Sequence, residues 1–127
     1  MPTDARRQRG ALGERIAAEH LERRGFAIVD RNYRTRYGEL DVVAANEQAL
    51  VFCEVKTRVA GGASGPAGPL DAIGPRKQRR LRQLAGAWLS AKPDRPHRRD
   101  VRFDAIGVTL TPSGDLVALE HLEGAFE

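Results

Sequence analysis

A single cysteine, Cys53, among 127 residues leaves no partner for an internal disulfide, and a reducing compartment is the expectation. Long apolar runs are missing too. The longest, at 49–53, has five residues, whereas a membrane-spanning helix requires about 20. Arg6 and Arg7 stand near the start with no apolar stretch behind them, so neither a secretory nor a twin-arginine export signal is expected, and the location expected is cytoplasmic. Aromatics make up only 6% of the chain. Cys53 and the three histidines, at 20, 97 and 121, show no zinc-ligand spacing. What remains is 41% hydrophobic and 30% charged, enough to bury a core beneath a solvated surface, which excludes full disorder and collagen-like repetition. The length suits one domain over 1–127 and is too short for two ordinary ones.

The charge is unevenly spread. Twenty-one basic residues against 17 acidic ones give +4, yet residues 76–102 hold ten Lys or Arg against only Asp94 and Asp100. A cationic surface concentrated in this way suits a phosphate backbone. It is equally the pattern of a solvated charged face. Arginine outnumbers lysine 18 to 3, which suits bidentate phosphate contacts and is also what a GC-rich codon bias produces.

Residues 5–24 read as a helix that Gly25 terminates in a left-handed conformation. At 100° per residue, Gly10, Glu14, Ala17, Ala18 and Leu21 share one side, which sets Glu14 in a stripe of small and apolar residues where a carboxylate needs a partner. Alternatively Leu12 and Ile16 define the core face and Glu14 is exposed. A first strand is expected at 26–32, followed by a hairpin of 38–45 and 49–57 turning at Asn46, Glu47 and Gln48. Five glycines and two prolines in 59–74 predict a long mobile loop, which in a compact domain is usually functional or disordered. Pro75 opens a helix to about Ser90 with Leu81, Leu84, Ala85, Trp88 and Leu89 on one stripe. A basic linker at 91–99, a strand at 101–110, a turn at 111–114 and a strand at 116–121 complete the order α-β-β-β-α-β-β.

The hairpin carries the chemistry. Centring its turn between Glu47 and Gln48 sets Asp41 opposite Glu54 and Glu39 opposite Lys56, and side chains two apart share a face. Glu39, Asp41, Glu54 and Lys56 are therefore expected on one side of the sheet together with Val43, Leu50 and Phe52. Directly paired like charges destabilise a sheet, so a cation is expected between them. Two carboxylates with room for water and phosphate oxygens suit Mg²⁺, a hard, octahedral ion that keeps part of its hydration shell. A lysine beside such an ion completes a phosphodiester-cleaving arrangement, the ion acidifying a water and the ammonium stabilising developing negative charge. The plain alternative is a surface hairpin in which Glu39 pairs with Lys56.

Gly38-Glu39-Leu40-Asp41 followed by Val51-Phe52-Cys53-Glu54-Val55-Lys56-Thr57-Arg58 resembles the YraN-like family of uncharacterised bacterial proteins, placed in the PD-(D/E)XK nuclease superfamily. Gly10-x-x-Gly13-Glu14 with Ala17, Leu21 and Gly25, then Lys77 with Leu81 and Ala85, then Arg102-Phe103-Asp104 and the closing Ala125-Phe126 extend the resemblance over most of the chain. It implies a restriction-endonuclease-like α/β fold, a mixed central sheet flanked by helices. It further implies Asp41 and Glu54 as ligands for Mg²⁺ or Mn²⁺, Lys56 as the catalytic lysine, and Glu14 as the first-helix carboxylate that completes the site. Leu40 stands where the motif has proline.

Around this centre, Arg76, Lys77, Arg79 and Arg80 crowd the first turn of the second long helix, where the helix dipole opposes cations and an incoming phosphate would be welcome. Tyr33, Arg34, Arg36 and Tyr37 interleave aromatics and cations, as base stacking and backbone tracking require. Trp88 reads as core and Cys53 as a buried small hydrophobe on the face opposite Glu54. The expected function is a metal-dependent endonuclease acting on DNA, branched or single-stranded structures included. The alternatives are a nucleic-acid-binding protein that keeps the fold without cleaving, and an assembly module whose basic helix docks an acidic protein. Oligomeric state stays open, a homodimer included.

Overall fold

A computed structural model describes residues 2–61 and 73–126. The elements are α1 (Pro2–Arg23), β1 (Ala27–Thr35), β2 (Gly38–Ala45), β3 (Ala49–Val59), α2 (Pro75–Ala91), β4 (Asp100–Leu110) and β5 (Leu116–Phe126), in the expected order. The strands form one five-stranded sheet in sequence order. β1–β2, β2–β3 and β4–β5 are antiparallel, and β3–β4 is parallel over its whole length. The parallel pair requires a crossover, and α2 lies within it. Most of the expected mobile loop at 59–74 falls at residues 62–72, outside the described residues. Among the described residues, no helix is long and apolar enough to cross a membrane.

One helix covers each face of the sheet. α1 buries Ala17 and Leu21 against Val42, Ala44, Val51, Cys53, Ile106, Val108 and Leu110. Leu12 and Ile16 pack at the margin of the same cluster, so the two helix faces weighed from periodicity both contribute. α2 buries Leu81, Leu84, Ala85 and Trp88 against Leu40, Val43, Leu50 and Phe52, with the Trp88 ring edge-on to Phe52. Trp88 Nε1 donates to Asp30 Oδ2 at 2.8 Å, giving the buried indole its polar partner. α1 stops where Gly25 takes φ 93° and the Phe26 N–H reaches back to the Leu21 carbonyl at 3.0 Å, closing the last turn in a Schellman arrangement.

β5 runs to Phe126, five residues beyond the strand expected from the sequence. Gly124, at φ 59°, forms part of a register shift between Phe103 and Ala105 of β4, after which Phe126 returns to stack on Phe103 at 4.7 Å. At that shift lies a fully buried carboxylate, Asp104. It accepts from Arg102 Nε at 2.9 Å, His121 Nε2 at 2.8 Å and the Gly124 N–H at 3.0 Å. His121 Nδ1 in turn meets His20 Nε2 of α1 at 3.0 Å. Burial alone would raise Asp104, but the donors from His121, Arg102 and Gly124 outweigh it and hold its carboxyl below the usual range. His20 is pushed down by burial and by the neighbouring His121, Arg24 and Arg23.

The separation of α1 from the sheet is set by a missing side chain. A Cβ at Gly13 would overlap the Thr57 side chain of β3, so only glycine lets the helix come this close. Gly86 of α2, by contrast, has nothing within 4 Å of its virtual Cβ. Opposite outcomes are therefore expected from one substitution. Gly86→Ala should stabilise by about 0.5–1 kcal/mol through helix propensity, and Gly13→Ala should destabilise by about 1–3 kcal/mol through overpacking. Urea denaturation of the two variants measures this, and a Gly13→Ala protein as stable as the parent would show that the helix is not held at Thr57.

Candidate active site

β2 and β3 run together only from Val42 opposite Cys53 to Ala45 opposite Leu50. Those four pairs have the register expected from the sequence. Beyond Val42 the strands part, β2 staying with β1 as far as Gly38 and β3 staying with β4 as far as Val59. The expected pairs of Asp41 with Glu54 and Glu39 with Lys56 therefore do not form. Where the strands part, Asp41 Oδ2 accepts the Val55 N–H at 2.8 Å, taking the place a β2 carbonyl would otherwise fill.

The side-chain alternation of β2 also breaks here. Leu40 packs beneath α2, and Val42, two residues on, packs beneath α1. Across from this step, Asn32 of β1 holds a left-handed φ of 54°. The expectation that Glu39, Asp41, Glu54 and Lys56 share one face with Val43, Leu50 and Phe52 is thus corrected: strict alternation does not survive the kink. Asp41 meets Glu14, which α1 carries one residue past the Gly13 contact, and Glu39. Oxygens of Glu14, Glu39 and Asp41 lie within 4.8 Å of one another. Glu54 follows Phe52 on the α2 face and hydrogen-bonds to the Asp41 carboxyl, so the acids converge from both sides of the sheet.

Electrostatics reflect that crowding. Burial, a hydrogen bond to Glu54 and repulsion from Glu54 push the Asp41 carboxyl up to about 9, against the smaller opposing effect of the Val55 N–H. Asp41 therefore keeps a proton at neutral pH. Glu14 is raised by burial and by Glu39, with Arg31 and the Asp41 hydrogen bond opposing. Lys56 is half-buried two residues beyond Glu54 and makes no ion pair among the described residues.

The basic residues divide. Lys77 does not stand free on the α2 surface: its Nζ is 3.1 Å from Glu54 Oε2. Arg76, Arg79 and Arg80 are exposed, and Arg80 Cδ lies 3.6 Å from the virtual Cβ of Gly38, so the start of α2 adjoins the β1–β2 turn. That turn carries Arg34, paired with Glu39 at 2.7 Å, and Arg36, whose guanidinium lies 5.0 Å from the Tyr37 ring. Tyr37 is exposed. Tyr33 is partly buried against the α2-side core, with the Lys92 ammonium 5.9 Å from its ring. Cys53 is buried on the α1 side, opposite Glu54, as expected.

Three features were not read from the sequence: Glu39 as an oxygen donor beside Glu14 and Asp41, Lys77 as the partner of Glu54, and the Asp104–His121–His20 chain. For His20 a signal exists, since it falls three residues after Ala17 and seven after Gly13 on the buried stripe of α1. No comparable signal marks Lys77, because its contact depends on where the crossover returns α2.

A mixed sheet between two helices, with acids gathered where two interior strands part, defines an α/β protein with a polar, ionisable centre inside the sheet. Comparison with known proteins gives the family over most of the chain. Residues 13–108 match the uncharacterised protein family UPF0102, and the chain belongs to that family. It is 48% identical to a UPF0102 protein of Frankia alni over 92% of each chain. A UPF0102 protein of Mycobacterium tuberculosis is 46% identical over 98% of this chain and 96% of its own. One from Mycolicibacterium vanbaalenii is 46% identical over 85% of each. The YraN-like resemblance of the same residues is thereby borne out at the level of the family.

Asp41 gives the site a pH signature. Its folded value lies above the ordinary 3.8, so between about 4 and about 9 the folded state holds a proton that the unfolded state has lost. Stability from this group is fully present below that window and declines as pH rises through it, by at most about 1.4 kcal/mol per pH unit per proton. Asp41→Asn keeps an acceptor for Val55 and removes the decline. In ion-free buffer the variant's stability advantage should widen from pH 5 to pH 8. Thermal unfolding across that range checks it, and parallel curves for the two proteins would place the proton elsewhere.

Proposed function

We propose that the chain is a metal-dependent nuclease of the PD-(D/E)XK type that hydrolyses phosphodiester bonds in DNA. The observation that carries this reading is the convergence of Glu14, Glu39 and Asp41, their oxygens within 4.8 Å of one another, with Glu54 against Asp41 and Lys56 two residues further along β3. The donor set fits the ion in its chemistry: these are hard oxygen ligands, and burial together with repulsion from the neighbouring acids, which raise the Asp41 carboxyl, are answered by a divalent cation. Asp41, Glu54 and Glu14 would hold Mg²⁺ or Mn²⁺, with Glu39 as a further oxygen donor. The bound ion supplies a Lewis acid for the phosphate and an acidified water.

The chain's own residues do the rest. Asp41 is held by the Val55 N–H, so its carboxylate is oriented before any ligand arrives. Lys56 stands beside the acids on the neighbouring strand, where its ammonium stabilises negative charge developing on the phosphate. Arg76, Arg79, Arg80, Arg34 and Arg36 flank the site from α2 and the β1–β2 turn and suit the nucleic-acid backbone. A restriction-endonuclease-like architecture is supported by the order of elements and by the parting of β2 and β3 at the acids.

Lys56→Ala tests the reading. At saturating DNA, with linear, nicked, single-stranded and four-way substrates and with Mg²⁺ or Mn²⁺, cleavage should fall about 100- to 1000-fold while DNA affinity changes little. Undiminished cutting by the variant would locate the activity elsewhere. A parent protein that binds DNA and cuts none of the four substrates would instead support a binding protein that retains the fold.

The basic surface has its own signature. Replacing Arg76, Arg79 and Arg80 by Gln should make the dependence of log affinity on log salt shallower by about one unit for each phosphate the arginines neutralise. Binding titrations from 50 to 300 mM NaCl provide the slope, and an unchanged slope would remove this face from the DNA path.

A further inference from the structure

Of the four carboxylates at the site, Glu39 pairs with the exposed Arg34, and Glu54 has a half-buried cation. Its Oε2 lies 3.1 Å from Lys77 Nζ, and the side chains are only 13% and 29% exposed. Lys77 is the third residue of α2, whose first turn contains no acidic residue and whose N-cap, Gly74, provides no side-chain hydrogen bond. A lysine at that end opposes the helix dipole unless an anion answers it. Glu54 is such an anion, and it comes from the strand that carries Lys56. The same carboxylate also hydrogen-bonds to Asp41. Glu54 is therefore placed between two claims, the acidic group on one side and an ammonium on the other.

We propose that Lys77 is a positioning residue that serves as a resident counter-ion: it holds Glu54 toward α2 while the site is empty, competes with the divalent cation for that carboxylate, and is released when the cation takes Glu54. This rests on the nuclease reading, because it presumes that the acids bind a divalent ion. Release leaves the Lys77 ammonium at the start of α2, among Arg76, Arg79 and Arg80, where a DNA phosphate is the available anion. Ion loading and backbone gripping are then linked through one side chain. Linkage is reciprocal, so a phosphate that draws Lys77 away also frees Glu54 for the ion.

Mn²⁺ binding, followed by electron paramagnetic resonance of the free ion, tests this without any turnover. Lys77→Ala should bind Mn²⁺ roughly three- to ten-fold more tightly than the parent, as expected for removing a half-buried ion pair and a nearby positive charge. Lys77→Arg, which can still pair with Glu54, should bind as the parent does. In a Glu54→Gln background the Lys77→Ala change should tighten binding far less, because the competition is gone. Equal tightening in both backgrounds would make Lys77 a distant repelling charge and overturn the counter-ion role alone. Unchanged affinity in Lys77→Ala would do the same. Absence of Mn²⁺ binding in the parent and in every variant would overturn the ion reading of the site together with this one. Far-UV circular dichroism checks that each variant is folded, and Lys77→Gln substitutes for the alanine variant if that one is not.

Discussion

The contact on which the site depends is the one between the Asp41 carboxylate and the Val55 N–H. β3 is claimed by two neighbours: β2, which pairs with it for four residues, and β4, which pairs with it for all eleven. Parting from β2 would leave a backbone donor of β3 in a half-buried place with no acceptor, at a cost of about 1–3 kcal/mol. A side chain takes over as acceptor and makes the separation of the strands stable. Because that side chain is a carboxylate, the gap it props open is acidic from the outset. The chemistry of the centre and the geometry of the sheet are therefore one arrangement.

A second close contact brings the other acids in. With no side chain at Gly13, α1 rests on Thr57, and Glu14 follows immediately at the level of Asp41. The resulting repulsion is a local burden on the fold. It is set against a well-satisfied buried network on the same side of the sheet, where Asp104 takes three donors and reaches α1 through His121 and His20. One carboxylate is held charged by partners that answer it, and another is raised by burial among acids. The contrast separates a group that stabilises the structure from one available to a ligand.

Much of this fold is legible in the sequence because its signals are local. The β2–β3 register follows from a three-residue turn, the buried face of α2 from the spacing of Leu81, Leu84, Ala85 and Trp88, and the end of α1 from Gly25. Asp41, Glu54, Lys56 and Glu14 are legible as candidate residues; the three acids come together, and Lys56 follows two residues after Glu54 on β3. Their faces are not. The kink between Leu40 and Val42 reverses the alternation that a regular strand would keep, and no residue type announces it, since the cause is competition between β2 and β4 for β3. Lys77 is misread as free surface charge for a related reason: nothing within α2 says that Glu54 will lie beneath it.

The parallel pairing of β3 with β4 has a kinetic and an architectural consequence. Ala49 pairs with Asp100 and Val59 with Leu110, so each contact closes a loop of 51 residues, and ordering β3 between its neighbours is a non-local and slow event compared with closing the β2–β3 hairpin. The entropy of closure, however, grows only with the logarithm of loop length, about 0.6 kcal/mol for each doubling. The connection therefore tolerates changes of length in the stretch between Val59 and Pro75 at little thermodynamic penalty. That stretch departs three residues after Lys56 and ends two residues before Lys77. The part of the chain in which insertion is least expensive thus joins the end of the strand that carries Glu54 and Lys56 to the start of the helix that carries Lys77, and its length can change while the sheet stays intact.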